Sequence, residues 1–244
     1  MKVYEKLMLD RAGLMEHGSI TIVVFGDSIS HAAFNEYIDF EKVYWNLLKK
    51  KLHAYRNYIP INVICSAIGG TTATKSLARL EKQVLAFPAD LVIVCFGLND
   101  VNGPLEDYLS SLSEIFSKCQ ARGFDVIFMT PNMMNTYVAQ GTAEQHFEYA
   151  HKTADMQNGG KVDLYIESAA ALAREMGVTV CDCYAKWKAL AASGVDTTAL
   201  LCNHINHPTE QMHELFADAL YDIILAPLKG ECEDGDQDTM YKEK

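Results

Sequence analysis

The sequence has no cluster of basic residues and no apolar run long enough to cross a bilayer. Over its 244 residues the formal net charge is -11, and the longest uninterrupted basic run is only Lys49 to Lys51. An acidic surface repels the phosphate backbone of nucleic acids and the headgroups of anionic lipids. A membrane-spanning helix needs about 18 or more apolar residues in a row. We therefore predict neither a nucleic acid nor a membrane as a partner.

The sequence also lacks the apolar core of a signal peptide and the usual spacing of metal-binding cysteines. Charged residues already occur among its first six residues, which is untypical of an export signal, so cytoplasmic residence is the expectation. Seven cysteines are present, but only one residue separates Cys181 from Cys183, whereas a CxxC motif has two. We expect reduced thiols, most of them buried.

Several common catalytic and cofactor-binding motifs are absent. The sequence contains no GxxxxGKS/T or GxGxxG loop for phosphates or dinucleotides, and no GxSxG elbow of the α/β-hydrolase type. His204 and His207 do not match the HExxH spacing of a zinc site. We therefore predict that the protein uses no metal and no cofactor.

What the sequence does contain is a regular alternation of apolar β-branched runs with amphipathic stretches. Strands of a parallel sheet are buried on both faces and therefore consist of nearly continuous apolar residues. The alternation indicates an α/β fold, with a five-stranded parallel sheet and helices on both of its faces. The predicted strands are 20–26, 59–68, 89–96, 125–130 and 178–181. The predicted helices are a short one within 3–16 and longer ones at 40–55, 73–86, 105–121, 161–176, 184–193 and 208–225.

The alternation stops before the C-terminus, and two segments within it show no clear period. We expect one domain over residues 1–228 and an acidic, disordered tail over 229–244, because the tail is rich in Asp and Glu. Segment 27–39 is expected to be an irregular loop, and the polar segment 132–160 a loop or a short helix. Long connections often form lids, so we expect these two segments to govern the choice of substrate.

Small or polar residues follow the first three strands, namely Ser28, Gly70 and Asn99, and His207 follows the fifth strand. The carboxyl ends of the strands face the ligand crevice in open α/β sheets. Acyl transfer needs a nucleophile, a base and hydrogen-bond donors for the developing oxyanion. Ser28 can be the nucleophile, and His207 the base. The backbone N–H groups of Ser28 and Gly70 and the Asn99 amide can be the donors, while Asp100 is expected to cap a helix.

The same blocks resemble a known family. Gly26-Asp27-Ser28, then Gly70, then Gly97-Leu98-Asn99-Asp100, then His207-Pro208 are similar in kind and order to the four blocks of the SGNH (GDSL-type) hydrolases. The resemblance covers about residues 20–225. It implies a three-layer α/β/α fold of the flavodoxin type and a metal-free esterase or acylhydrolase activity. It also implies the roles given above for Ser28, Gly70, Asn99 and His207.

One departure from the family concerns the acid that normally orients the base. The family usually has Asp three residues before the histidine, but this position is His204, which cannot act as an anionic partner for an imidazolium. Three alternatives follow. A backbone carbonyl near Asn203 or His204 orients His207 in a Ser–His dyad, a carboxylate from Asp196 or Asp182 reaches the ring, or the activity is weak. We favour the dyad.

The sequence therefore predicts a serine esterase that removes a short acyl group, most simply acetyl, from a carbohydrate or another small alcohol. The expected partner is a small-molecule ester, and the sequence leaves a homo-oligomer open. The alternative is a non-catalytic protein that binds a ligand on the same fold. That alternative is motivated by the missing acid at position 204.

Overall fold

The structure, a computed structural model that describes residues 1–226, contains a sheet of five parallel strands. The strands are β1 (Ile20–Gly26), β2 (Ile61–Cys65), β3 (Leu91–Cys95), β4 (Asp125–Met129) and β5 (Thr179–Cys181). Their order across the sheet is β2-β1-β3-β4-β5, which is the flavodoxin-like order of doubly wound sheets. The ligand crevice of such a sheet lies at the carboxyl ends of its strands, at the switch point between β1 and β3.

Strands β1 and β3 are the most deeply buried strands of the sheet. Every residue of β3 is buried, and so is every residue of β1 except Thr21. The two strands pair in parallel, with Ile22 opposite Leu91 and Phe25 opposite Val94. Because both faces of these strands are covered, they are the clearest apolar runs in the sequence. The predicted five-stranded parallel sheet is confirmed.

Helices cover both faces of the sheet. The helices are α1 (Lys2–Leu7), α2 (Arg11–His17), α3 (Tyr44–Tyr55), α4 (Ala73–Leu80), α5 (Leu105–Ala121), α6 (Phe147–Asn158), α7 (Lys161–Glu175), α8 (Cys183–Ala192) and α9 (Glu210–Ile224). Helices α3 and α9 pack against each other, and α5 packs against both α4 and α7. Together with the sheet these helices form the predicted three-layer α/β/α fold.

Two helical segments differ from the prediction. Two helices occupy the N-terminal segment instead of one, because the Asp10 side chain accepts a hydrogen bond from the Gly13 N–H and starts α2 as a separate helix. Helix α4 ends at Leu80, and the chain continues through a π-helical turn, Glu81–Leu85.

The segment 132–160 contains a helix of three turns, longer than the short helix that we considered. A 3₁₀ turn, Glu144–His146, leads into α6, whose buried residues are Ala150, Thr153, Ala154 and Gln157. Small and polar residues on the buried face give no apolar periodicity, which is why the sequence shows no helical pattern there.

The predicted acidic tail, 229–244, lies outside the described residues. Among the helices of residues 1–226, none combines the length and apolar character that crossing a bilayer requires.

Candidate active site

Ser28 lies in a tight turn that begins where β1 ends. Gly26 has no room for a side chain, because a Cβ there would lie 2.6 Å from the backbone of the neighbouring strand β3. The Asp27 side chain accepts a hydrogen bond from the Ile29 N–H (3.1 Å), and the Asp27 carbonyl accepts one from the His31 N–H (2.9 Å). The turn is therefore fixed from its buried side, while Ser28 itself is only half-buried.

The loop before α9 brings His207 to this turn. Its Nε2 lies 3.1 Å from Ser28 Oγ, and its Nδ1 lies 2.6 Å from the carbonyl oxygen of Phe34. Since a carbonyl oxygen can only accept, Nδ1 carries the ring proton and Nε2 is free to accept from the Ser28 hydroxyl. This is the tautomer that a general base for serine requires.

None of the four groups that the sequence suggested accepts the Nδ1 proton. Asn203 acts on the backbone instead, because its Oδ1 accepts hydrogen bonds from the N–H groups of Ile205, Asn206 and His207, at 2.9 to 3.0 Å. A side-chain oxygen that bonds three successive backbone donors closes a tight turn. Asn203 therefore fixes the backbone position of His207 but does not orient its ring.

The side chains of the other three groups lie elsewhere. The ring of His204 lies against segment 132–160, where its Nε2 would be 2.6 Å from a Cβ at Gly141. Asp196 accepts a hydrogen bond of 2.6 Å from the Tyr137 hydroxyl, and Asp182 caps the N-terminus of α8. A backbone carbonyl does lie at the ring, as in a dyad. It belongs to the loop after Ser28, and the prediction that it lies near Asn203 or His204 is wrong.

The environment of His207 favours the neutral ring. Burial lowers the pKa of His207, and the hydrogen bond to the Phe34 carbonyl offsets part of this effect. A neutral carbonyl holds the Nδ1 proton but gives less charge stabilisation to an imidazolium than a carboxylate would. The lowered pKa therefore favours an unprotonated His207 ring at neutral pH.

Two backbone N–H groups at the same edge have no hydrogen-bond partner within residues 1–226, those of Ser28 and Gly70. Gly70 has a φ of +73°, a left-handed conformation that strains residues with a side chain. The preceding residue, Gly69, donates its N–H to His31 Nδ1 at 3.2 Å. A Cβ at Gly69 would lie 3.7 Å from that of Ser28. The glycine turn thus lies directly beside Ser28, and the N–H groups of Ser28 and Gly70 can donate hydrogen bonds to a bound oxyanion.

Asn99 reaches the same edge, but its amide is already engaged. Its Nδ2 lies 3.2 Å from Asp27 Oδ2 and 3.2 Å from the carbonyl oxygen of Thr71. These two bonds fix the plane of the amide. To act as an oxyanion donor, Asn99 would have to share one of these N–H groups with the bound ester.

Two buried carboxyl groups support these donors. Burial, together with the neighbouring Asp100, raises the pKa of Asp27 to about 7. Burial also raises the pKa of Asp100 to about 6. Asp100 Oδ1 accepts the N–H of Ala73 at 2.9 Å, so this side chain caps α4, the helix that follows the glycine turn. The expectation that Asp100 is itself a helix N-cap is wrong, because Thr72 holds that position in α4 and Pro104 holds it in α5. Asp100 instead binds the first N–H of α4 from a position 27 residues further along the chain.

A polar cleft of about 400 Å³ opens beside Gly70 and Asn99. Its other polar lining residues are Thr72, Thr74, Lys75, Asp100, Asn102, Asp107 and Tyr108. Hydroxyl, amide, ammonium and carboxylate groups of this kind can bind a hydroxylated ligand. None of the residues lining this cleft belongs to 27–39 or 132–160.

His213 is the third histidine of this region, and it is a core residue. It is fully buried, its Nδ1 accepts the Tyr44 N–H at 3.3 Å, and burial lowers its pKa to about 3. Within the described part of the chain, no group of three His, Cys, Asp or Glu side chains is placed to hold a metal ion.

Sequence reasoning missed the roles of Phe34 and His31 in this site. Phe34 contributes a backbone atom, which any residue could supply, so no sequence signal identifies it. His31 could be noticed as a polar residue three positions after the serine, yet its contact with the Gly69 N–H depends on how two loops meet.

Comparison with known proteins indicates the family and the fold of the chain. The sequence matches the GDSL-like lipase/acylhydrolase family over residues 24–215, whereas a search of curated proteins gave no significant match. Among solved structures, an acetylxylan esterase from Geobacillus stearothermophilus is 20% identical, with 84% of this chain and 94% of that one covered and a TM-score of 0.66.

Two further structures cover 84% of this chain with the same TM-score of 0.66. One is the acetyl xylan esterase AlAXEase, 20% identical and covered over 99% of its length. The other is an alpha/beta hydrolase enzyme from the metagenome of Lake Arreo, Spain, 19% identical and covered over 94%. At such identities the likeness demonstrates the fold alone, while the family match extends over more than half of the chain. The chain belongs to the GDSL-like lipase/acylhydrolase family, the SGNH hydrolases that its four sequence blocks indicate, and it is a hydrolase of ester bonds.

Proposed function

We propose that the protein is a serine esterase that removes a short acyl group, most simply acetyl, from a hydroxyl of a carbohydrate or another small alcohol. The observation that carries this proposal is the contact of 3.1 Å between Ser28 Oγ and His207 Nε2, with the Nδ1 proton held by the Phe34 carbonyl. A nucleophile, a base and an orienting group in line are the signature of nucleophilic catalysis.

The first half of the reaction forms an acyl-enzyme. His207 Nε2 takes the proton of Ser28 as Oγ attacks the ester carbonyl carbon, and the carbonyl oxygen becomes an oxyanion. The N–H groups of Ser28 and Gly70 donate to this oxyanion, together with a shared N–H of Asn99. When the tetrahedral intermediate collapses, the C–O bond to the alcohol breaks and the imidazolium returns its proton to the departing alcohol oxygen.

The second half repeats these steps with water. His207 removes a proton from a water molecule, the resulting hydroxide attacks the acyl carbon, and the same donors bind the oxyanion. Collapse then breaks the bond to Ser28 Oγ, which regains its proton from the imidazolium, and the carboxylic acid leaves. The neutral Phe34 carbonyl keeps the ring aligned through both halves.

Two observations support a small, hydroxylated substrate. The cleft beside the glycine turn is lined by many polar side chains, which suits a sugar better than a fatty chain. Two of the similar structures named above are described as acetylxylan esterases, so an O-acetylated sugar is the first substrate to test.

The decisive experiment compares the hydrolysis of 4-nitrophenyl acetate and of acetylated xylo-oligosaccharides by the wild type and by Ser28→Ala. We expect kcat to fall by about 10³-fold or more in the variant, because the nucleophile is removed. Ser110→Ala, which changes a serine on the exposed part of α5, is the control and should keep full activity. Equal rates for wild type and Ser28→Ala would remove Ser28 from the mechanism.

A non-catalytic binding protein is the second candidate. It is favoured by the lack of any carboxylate at His207 Nδ1 within residues 1–226 and by the engaged amide of Asn99. A fluorophosphonate probe separates the two functions, because only an activated serine attacks it. Labelling of Ser28 supports the esterase, and a folded protein that stays unlabelled and hydrolyses neither ester supports the binding protein.

A further inference from the structure

The carbonyl that orients His207 belongs to a small hairpin, residues 33–38, which we call the base-side hairpin. Ala33 and Ile38 form an antiparallel bridge, and the Phe34 N–H donates to the Tyr37 carbonyl at 3.0 Å. Residue Ala32, at its entry, has a φ of 61°, a conformation that only surrounding contacts maintain for alanine. The conformation of this hairpin decides where the Phe34 carbonyl points.

The inner side of the base-side hairpin is fixed by the core. The Phe34 ring is buried, and its centroid lies 5.0 Å from that of His213, which itself stacks on Tyr44 at an interplanar angle of 7°. Because His213 and Tyr44 are fully buried on α9 and α3, they cannot move without disturbing the layer that these two helices form.

On the outer side of the hairpin, the Tyr37 ring packs against Phe34, while backbone hydrogen bonds hold the two ends, from Ala33 N–H to the Ser28 carbonyl and from Asp39 N–H to the Ala32 carbonyl. Tyr37 stacks on Phe34 with the ring centroids 5.4 Å apart and the planes within 11° of each other. The tyrosine is 51% exposed, and its neighbours at positions 35, 36 and 38 are exposed as well. Without this ring, the Phe34 side of the hairpin would face solvent where it now has a stacking partner.

We propose that Tyr37 is a positioning residue, which acts through Phe34 to hold the carbonyl that orients His207. This proposal rests on the proposed Ser28–His207 chemistry. A carboxylate reaches the imidazole through its own side chain. The position of a backbone carbonyl, in contrast, depends on the conformation of the loop to which it belongs. In this protein, the stacked rings of Tyr37 and Phe34 hold the group that orients His207, a role that an aspartate usually has in the family.

The expected consequence is a change in turnover and not in binding. A poorly aligned imidazole slows the proton transfers of both half-reactions, while the affinity for a small ester depends on other groups. For Tyr37→Ala we expect kcat on 4-nitrophenyl acetate to fall about tenfold with KM within about twofold, since small misplacements of catalytic groups cost one or two orders of magnitude.

Two variants make the test specific. Tyr37→Phe keeps the stacked ring and should retain kcat within about twofold of the wild type, because the stacking does not need the hydroxyl. Tyr58→Ala is the matched control, since Tyr58 is 48% exposed and precedes β2 at the edge of the sheet opposite the site; it should leave kcat unchanged. If Tyr37→Ala does not fold, Tyr37→Leu takes its place, because leucine keeps apolar bulk without a flat ring.

A second measurement does not depend on activity. In protein labelled with ¹⁵N-histidine, the low-field proton resonance of the His207 Nδ1–H reports its hydrogen bond to Phe34. We expect the resonance in the wild type and in Tyr37→Phe, and we expect it to broaden or disappear in Tyr37→Ala. This holds even if the protein hydrolyses no ester, so a failure of the proposed function can be told apart from a failure of the positioning role.

Two results would overturn the proposal. One is a rise of KM in Tyr37→Ala with kcat unchanged, which would assign Tyr37 to substrate binding. The other is an unchanged Nδ1–H resonance in a folded Tyr37→Ala protein, which would mean that the hairpin holds the carbonyl without the ring.

Discussion

The two halves of the site orient their groups by opposite means. On the oxyanion side, two buried carboxyl groups do this work, since Asp27 binds the Asn99 amide and Asp100 caps α4 beside the glycine turn. On the base side, where the family usually has a carboxylate, a neutral backbone carbonyl holds His207. Within residues 1–226, carboxyl groups thus lie beside the hydrogen-bond donors of the site, whereas the His207 ring has a backbone carbonyl in their place.

The difference shows that orientation and charge compensation are separable. Burial raises the pKa of Asp27 to about 7 and that of Asp100 to about 6, so each group is partly protonated near neutral pH while it accepts hydrogen bonds from Asn99 or Ala73. The pKa of His207 is lowered by its burial, which the hydrogen bond to the Phe34 carbonyl offsets only in part. A carbonyl is sufficient to select the tautomer, but it leaves the imidazolium formed during the reaction less stabilised than a carboxylate would.

The largest effect that bears on this comparison is expected on the oxyanion side. Asn99→Ala should lower kcat by about 10²-fold with little change in KM, as for other oxyanion donors. Steady-state kinetics with 4-nitrophenyl acetate measure it, and Asn62→Ala, on the exposed part of β2, is the control. A kcat within about twofold of the wild type would mean that the backbone donors of Ser28 and Gly70 act without help from the amide.

An intermediate effect is expected for the cap of α4. Asp100→Ala removes the acceptor of the Ala73 N–H and should lower the free energy of unfolding by about 1 kcal/mol, as is typical for lost helix caps. Asp10→Ala removes the N-cap side chain of α2, which accepts the Gly13 N–H, and should cost about as much. Urea denaturation compares the two variants.

The two caps differ in their expected effect on turnover. We expect only Asp100→Ala to lower kcat, by severalfold, because α4 carries the glycine turn at its start. If Asp10→Ala lowered kcat equally, the loss would reflect general destabilisation, and Asp100 would have no particular link to the site.

The smallest effect concerns pH. His207 must be unprotonated to accept the Ser28 proton, so kcat/KM should rise as the pH increases through the pKa of His207 and then level off. Because this pKa is lowered from its ordinary value of 6.5, the midpoint of the rise should lie below pH 6.5. A pH profile of kcat/KM on an ester with a pH-independent assay measures it.

His204→Asp tests the base side in the same profile. It places a carboxylate where the family has its acid, but residue 204 faces Gly141, so the midpoint should stay where it is in the wild type. A shift of the midpoint to higher pH would mean that an acid at this position does reach the imidazole.

The sheet and most helices could be predicted because they bury continuous or periodic apolar residues. β1 and α5 occupy the predicted ranges, 20–26 and 105–121. Helix α6 could not be predicted, because its buried face consists of alanine, threonine and glutamine. The N-terminal helices differ from expectation for a local reason, the cap formed by Asp10.

The site was predictable to the extent that it consists of side chains at strand ends. Ser28, Gly70, Asn99 and His207 do meet at one edge, because parallel strands place their carboxyl ends together. The acceptor of the Nδ1 proton could not be predicted, since it is a backbone atom in a loop whose conformation depends on the rings of Tyr37 and His213. Likewise, no pattern in the sequence reveals that the Asn99 amide is already hydrogen-bonded to Asp27.

The contact between Ser28 and His207 joins positions 179 residues apart in the chain. During synthesis on the ribosome, the serine and its turn emerge early, while the histidine emerges immediately before α9. Helix α9 packs on α3, so the docking of α9 brings the His207 imidazole to Ser28. The nascent chain can therefore build most of its sheet long before it is able to attack an ester.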